Sequence, residues 1–127
     1  MTSPSLLASS LYVAIGGALG AWLRFVVGRL LPSAQFPWAT LTVNIIGSFA
    51  MGLLAGWLAR AGGNESLRLL LGVGVLGGFT TFSAFSMDIV QLAQRGEASL
   101  AALYMALSLG GGILGLLAGL TLMRGMA

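Results

Sequence analysis

The stretch GGFTTFSAFS, residues 77–86, sets two glycines, two threonines, two serines and three phenylalanines inside an otherwise apolar run. In a helix interior each glycine is less favourable than alanine by about 1 kcal/mol. Thr80 and Thr81 add β-branching. The pattern predicts a helix that opens here and exposes carbonyl oxygens, which a bilayer tolerates only where protein or a cavity satisfies them. Freed carbonyls suit a hard cation such as Na+, and two copies of the chain meeting there would each contribute the same ones. Phe82 and Phe85 are three apart, hence neighbours on one face if the helix resumes. Aromatic rings have a positive edge, so edges aimed into a narrow pore would support an anion where water is scarce, with Ser83 and Ser86 as nearby donors. The plainer alternative is a pair of rings facing lipid or core.

Other polar residues within apolar runs also need partners, because burying an unpaired amide costs on the order of 2–7 kcal/mol. Asn44 lies in TLTVN at 40–44, with Thr40 four residues earlier on the same face. The pair either makes a helix–helix hydrogen bond or lines a water-filled path with donors. Tyr104 and Ser108, again four apart, form a second polar stripe, unless their hydroxyls bond back to a carbonyl one turn earlier. Arg24 sits inside the first run, where an arginine usually faces a water cavity or a carboxylate. Asp88 is its candidate partner by elimination; the same guanidinium could equally draw anions into a vestibule.

The elements that must position these groups follow from composition. Of 127 residues, 57% are hydrophobic and 7% charged, and mean hydropathy is +0.99. Soluble domains usually carry about 25% charged residues, so the expected solvent is lipid, around one compact domain spanning residues 1–127. Apolar runs at about 11–31, 38–60, 67–94 and 98–124 each reach the roughly 20 residues needed to cross the hydrocarbon as helix. Their continuity selects helices over alternating strands. Pro32–Pro37, Ala61–Ser66 (with Asn64 or Ser66 as N-cap) and Gln94–Glu97 supply turn chemistry between them. The third run is the longest, which suits an interruption. The N-terminus lacks a basic region and does not read as a cleaved signal peptide.

No cysteine and no histidine occur, which removes thiol chemistry and the commonest metal ligand and general base. The six arginines are scattered rather than clustered, arguing against nucleic acid. Four spans put Arg60, Arg68 and Arg124 on one side and Arg29 and Arg95 on the other. That bias is weak, and Lys/Arg imbalance is what fixes orientation, so the chain could insert both ways and form an antiparallel homodimer. Twenty glycines include pairs four apart (Gly16/Gly20, Gly52/Gly56, Gly74/Gly78, Gly111/Gly115/Gly119) that let helix backbones approach closely. GVGVLG at 72–77 matches a dinucleotide-binding pattern, but that pattern carries meaning only between a strand and a helix.

GGALGAWLR at 16–24, TLTVN at 40–44 and GGFTTFSAFS at 77–86, in this order and spacing, closely resemble the Fluc (CrcB) family of fluoride channels over nearly the whole chain. Ala84 departs from the threonine common there. The resemblance implies an all-α membrane protein of four transmembrane helices with a broken third helix, assembled as an antiparallel dual-topology homodimer with two pores in the inner (plasma) membrane. It implies a structural Na+ at the dimer interface, held by main-chain oxygens mapping to Gly77 and Thr80. It also implies fluoride-facing Phe82 and Phe85, Asn44 as a polar pore residue, and Tyr104 and Ser108 on a polar track of the fourth helix. With Thr40 and Ser83 as further pore donors and Arg24 as a vestibule charge, the expected activity is passive fluoride efflux, protective against fluoride toxicity, and not an enzymatic reaction. A dual-topology multidrug exporter shares the size and span count, but its proton coupling needs an acid in the first span, where there is none. A non-transporting assembly subunit, with Asn44 and the phenylalanines only joining helices, is the other alternative.

Overall fold

The computed structural model describes residues 3–125. Helix α1, Leu6–Leu30, begins five residues before the expected start. Ser5 caps it, its Oγ accepting from the Ala8 N–H at 3.2 Å, and Ser10 Oγ donates back to the Leu6 carbonyl at 2.7 Å. The serines that dilute the hydropathy of this segment therefore sit comfortably in helix. Helix α2, Trp38–Arg60, matches the expected span. The turn after it uses Gly62 and Gly63 at φ 82° and 88°, a left-handed region that favours glycine.

Helix α3 covers residues 65–79. Asn64 is its N-cap, Oδ1 accepting from the Leu67 N–H at 3.1 Å. Arg68–Leu76 has π-helical geometry, and Gly77–Phe79 returns to α. Thr80 (φ −87°, ψ 156°) and Thr81 (φ −150°, ψ 122°) are extended, and helical geometry resumes in α4, Phe82–Gln94. Gly96, at φ 77°, turns the chain into α5, Ala98–Gly125. Among the described residues four segments are long and apolar enough to cross a membrane: α1, α2, the combined stretch Glu65–Gln94 and α5. This is a multi-pass membrane protein.

Two glycine seams hold the helices in parallel pairs, and they form the two most extensive helix interfaces. On the first, Gly16 and Gly20 of α1 lie against the Leu70, Gly74 and Val75 backbone of α3. A Cβ on either would collide with the Leu70 or Val75 carbonyl oxygen. On the second, Gly52 of α2 lies against the Leu116 carbonyl of α5, and Gly119 of α5 against Phe49 and Leu53 of α2. Water-driven collapse does not operate between helices in lipid, so this close backbone contact is what the bundle relies on. At one end Phe36, Leu41, Phe85, Leu92, Ala101 and Tyr104 form a small buried cluster. Arg95 ties the 32–37 loop over it, donating to the Ala34 and Gln35 carbonyls at 2.8 and 3.0 Å.

Candidate functional site

Breaking the third span frees backbone groups, and side chains from α1 and α2 take up several of them. In an uninterrupted helix the Thr81 N–H would donate to the Gly77 carbonyl. It donates instead to Asn44 Oδ1 at 2.8 Å, while Asn44 Nδ2 donates to the Thr81 carbonyl at 3.0 Å. One amide side chain thus satisfies both backbone groups of one extended residue. Thr81 Oγ1 accepts from the Ala84 N–H at 3.1 Å and caps α4. The Ala84 N–H is the group that would otherwise serve the Thr80 carbonyl. Thr80 Oγ1 donates back to the Leu76 carbonyl at 2.9 Å. Arg24 Nε donates to the Gly78 carbonyl at 3.1 Å.

Arg24 is therefore not paired with Asp88, the candidate that elimination among the acids had left. Asp88 Oδ2 accepts from the Tyr104 hydroxyl at 2.9 Å. The two ion pairs of the described residues, Arg68–Glu65 and Arg95–Glu97, lie at span ends. The elimination counted carboxylates and overlooked the acceptors that a broken helix itself provides.

A groove of about 300 Å³, open to one side, runs along the break. Asn44, Thr80, Thr81, Phe82, Phe85 and Ser108 line it, with Ser48 and apolar Leu76, Leu109 and Leu116. Phe82 is 77% exposed and Phe85 8%, their ring centroids 5.8 Å apart. Phe85 packs on Tyr104 at 5.2 Å, and Tyr104 meets Phe36 edge-on at 5.6 Å. Ser108 Oγ is buried without a hydrogen-bond partner. Neither hydroxyl of the α5 stripe bonds back to its own helix: Tyr104 turns to Asp88, and Ser108 faces the groove.

Of the residues singled out from sequence, Asn44, Thr80, Phe82, Phe85 and Ser108 meet at this groove. Thr40 and Tyr104 lie outside its lining, Thr40 beside the Tyr104 phenol. Ser83 is exposed next to it, its Oγ 3.3 Å from Thr81 Oγ1. Gly77 is exposed on α3. Sequence reading missed the capping by Thr81, the Asp88–Tyr104 contact and the π-helical segment. The first had a signal, since threonine followed by a helix-forming run is an N-cap pattern.

No group of three His, Cys, Asp or Glu side chains that could hold a metal occurs among the described residues. The hard donors at the break are main-chain carbonyls. Those of Gly77 and Thr80 have lost their helical N–H donors to Asn44 and to Thr81 Oγ1. Neutral oxygens released from a helix C-terminus fit a monovalent hard cation, so the residues present fit Na+.

An all-helical, multi-pass membrane protein with a polar groove beside an interrupted span is the class that this geometry defines. The chain belongs to the CrcB family: the family model described as "CrcB-like protein, Camphor Resistance (CrcB)" matches residues 11–120. Among its relatives, a "Fluoride-specific ion channel FluC" of Novosphingobium aromaticivorans is 61% identical over 121 residues, covering 91% of this chain and 96% of the relative. Proteins of the same name from Sphingopyxis alaskensis and Rhizobium johnstonii are 52% and 49% identical. The first alignment covers 88% of this chain and 92% of the relative, the second 93% and 98%.

Proposed function

We propose that this chain is a fluoride-selective channel that lets fluoride leave the cell passively, acting as an inverted pair of copies in the inner membrane. The observation that carries the proposal is the lateral groove at the break. It gathers an asparagine amide, the N-terminus of α4, two phenylalanines and a buried hydroxyl without a partner, with no carboxylate in its lining. Fluoride is small and tightly hydrated, so a pore must replace water with donors. Asn44 keeps one amide hydrogen after serving Thr81, and Ser108 keeps its own. The α4 N-terminus adds a partial positive charge, and the rings offer positive edges. The relatives named as fluoride channels, 61% identical in one case, support the choice of halide.

The groove opens sideways and Phe82 stands mostly exposed at its edge, which supports completion by a second copy. An antiparallel partner would bring its own Gly77 and Thr80 carbonyls to the same place, giving Na+ a second set of oxygens. When bound, the ion would supply fixed positive charge that joins the two broken spans; conduction itself falls to the groove's own donors.

Fluoride efflux from liposomes carrying the purified protein tests this, with chloride and a cationic dye in parallel. Fluoride release without chloride or dye release is the expected result. Dye release would point to an exporter, and no release at all to an assembly subunit. Phe82→Ile and Phe85→Ile should each cut fluoride efflux in a folded dimer. Unchanged efflux in both would remove the role given to the ring edges.

A further inference from the structure

Arg24 has a task that its charge does not describe. The α1–α3 seam presses Gly78 against the Gly17 carbonyl and Ala21 N, so the backbone of α1 fixes where Arg24 leaves its helix relative to the end of α3. Its Nε reaches the Gly78 carbonyl at 3.1 Å, and no carboxylate pairs with it among the described residues. A guanidinium at a helix C-terminus is favourable both as a donor and against the helix dipole. The partners at the break then divide cleanly. Arg24 takes the Gly78 carbonyl and Asn44 takes both backbone groups of Thr81. The carbonyls of Gly77, Phe79 and Thr80 are left over, and the first and last of these are the pair that the Na+ reading assigns.

We infer that Arg24 is a positioning residue: through Nε it holds the last turn of α3 so that the Gly77 and Thr80 carbonyls stay turned out for a cation. This rests on the Na+ reading above. The charge of Arg24 is secondary to the donor at one atom. That distinction is testable because glutamine places its Nε2 at the same position along the side chain as arginine's Nε, without a charge. Lysine places a methylene there and keeps the charge one bond further out. Arg24→Gln therefore preserves the donor, and Arg24→Lys preserves the charge.

The measurement is thermal unfolding of the purified, detergent-solubilised protein across a Na+ series, with choline as the replacing cation. Fluoride efflux over the same series is the second readout. Losing a hydrogen bond from a charged donor corresponds to about a tenfold change in affinity. Arg24→Lys should need about tenfold more Na+ for half-maximal stabilisation, with efflux recovering at high Na+. Arg24→Gln should stay close to the native Na+ dependence. The reverse order, lysine native-like and glutamine impaired, would overturn the inference in favour of a charge role. Equal behaviour of the two variants, native-like or impaired, would also overturn it. A native protein with no Na+-dependent stabilisation would sink the cation reading itself, whatever the variants do, and with it the inference. If either variant fails to fold, Gly78→Ala is a second way to the same contact. Its Cβ would crowd the Gly17 carbonyl and shift α3 away from Arg24, so it should reproduce the weakened Na+ dependence; a native dependence there would count against the proposal.

Discussion

The two glycine seams use one packing device for different ends. Between α2 and α5, two long regular helices run side by side, with Gly52 on the Leu116 carbonyl and Gly119 on Phe49. Between α1 and α3 the contact is equally close at Gly16 and Gly20, but the helix on the far side is π-wound over Arg68–Leu76 and stops at Phe79. The first seam makes a wall. The second holds an irregular segment at a fixed place, so that a break which would be costly in lipid faces protein groups able to satisfy it. In lipid, regularity needs only close contact, whereas irregularity also needs dedicated partners.

Breaking either seam should have the largest effect. Gly20→Leu and Gly119→Leu drive a side chain into backbone carbonyls that cannot retreat. Overpacking ordinarily costs about 1–3 kcal/mol, and contact with backbone places these changes at or beyond the upper end. Neither variant should give folded protein, as read by size-exclusion chromatography. Folding of one and not the other would show that the seams differ in more than what they hold.

Asn44→Ala comes next and separates the seams. It leaves the Thr81 N–H and carbonyl without partners, and each unsatisfied group costs about 1–3 kcal/mol. Lower thermal stability and loss of fluoride efflux are the expected outcomes. The matched change on the regular pair is Thr121→Ala. That hydroxyl only bonds back to the Leu117 and Ala118 carbonyls of its own helix, and its loss should shift stability by less than about 0.5 kcal/mol. Similar losses from both would mean that the break is no more dependent on its partners than an ordinary turn of helix.

How much of this could be read from the sequence follows the same division. The wall was legible: glycines four apart name the packed face, and Gly16, Gly20, Gly52 and Gly119 all lie on a seam. The polar groups at the break were legible as residues that need partners, because amides and hydroxyls are out of place in apolar runs. Their partners were not. Asn44 and Thr81 are 37 residues apart and Arg24 and Gly78 are 54 apart, and no spacing rule reaches that far. For Arg24 the sequence offers only a carboxylate or a vestibule, because side chains can be counted in a sequence and exposed carbonyls cannot. The π-helical turns left no trace either, since they change the backbone ladder without requiring a particular residue. Hydropathy puts the start of α1 late because Ser9 and Ser10 lower it, although a helix in lipid accommodates serine by back-bonding.

Ser108→Ala should cost no stability and is the most direct probe of what the groove is for. Ser108 lies between the two regions, on the regular helix α5 yet lining the groove along the break. Its Oγ is buried with no partner, a state that costs about 1–3 kcal/mol when nothing occupies the site. A purely structural serine would have found a carbonyl one turn back, as Ser10 and Thr121 do. Replacing it by alanine removes that cost, offset in part by lost packing, so the empty protein should be no less stable. If the hydroxyl serves a passing anion, efflux should fall even as stability holds or rises. Thermal unfolding without fluoride, set beside efflux from liposomes, reads the two effects separately. A fall in both would make Ser108 an ordinary packing residue, and the groove would lose one of its free donors.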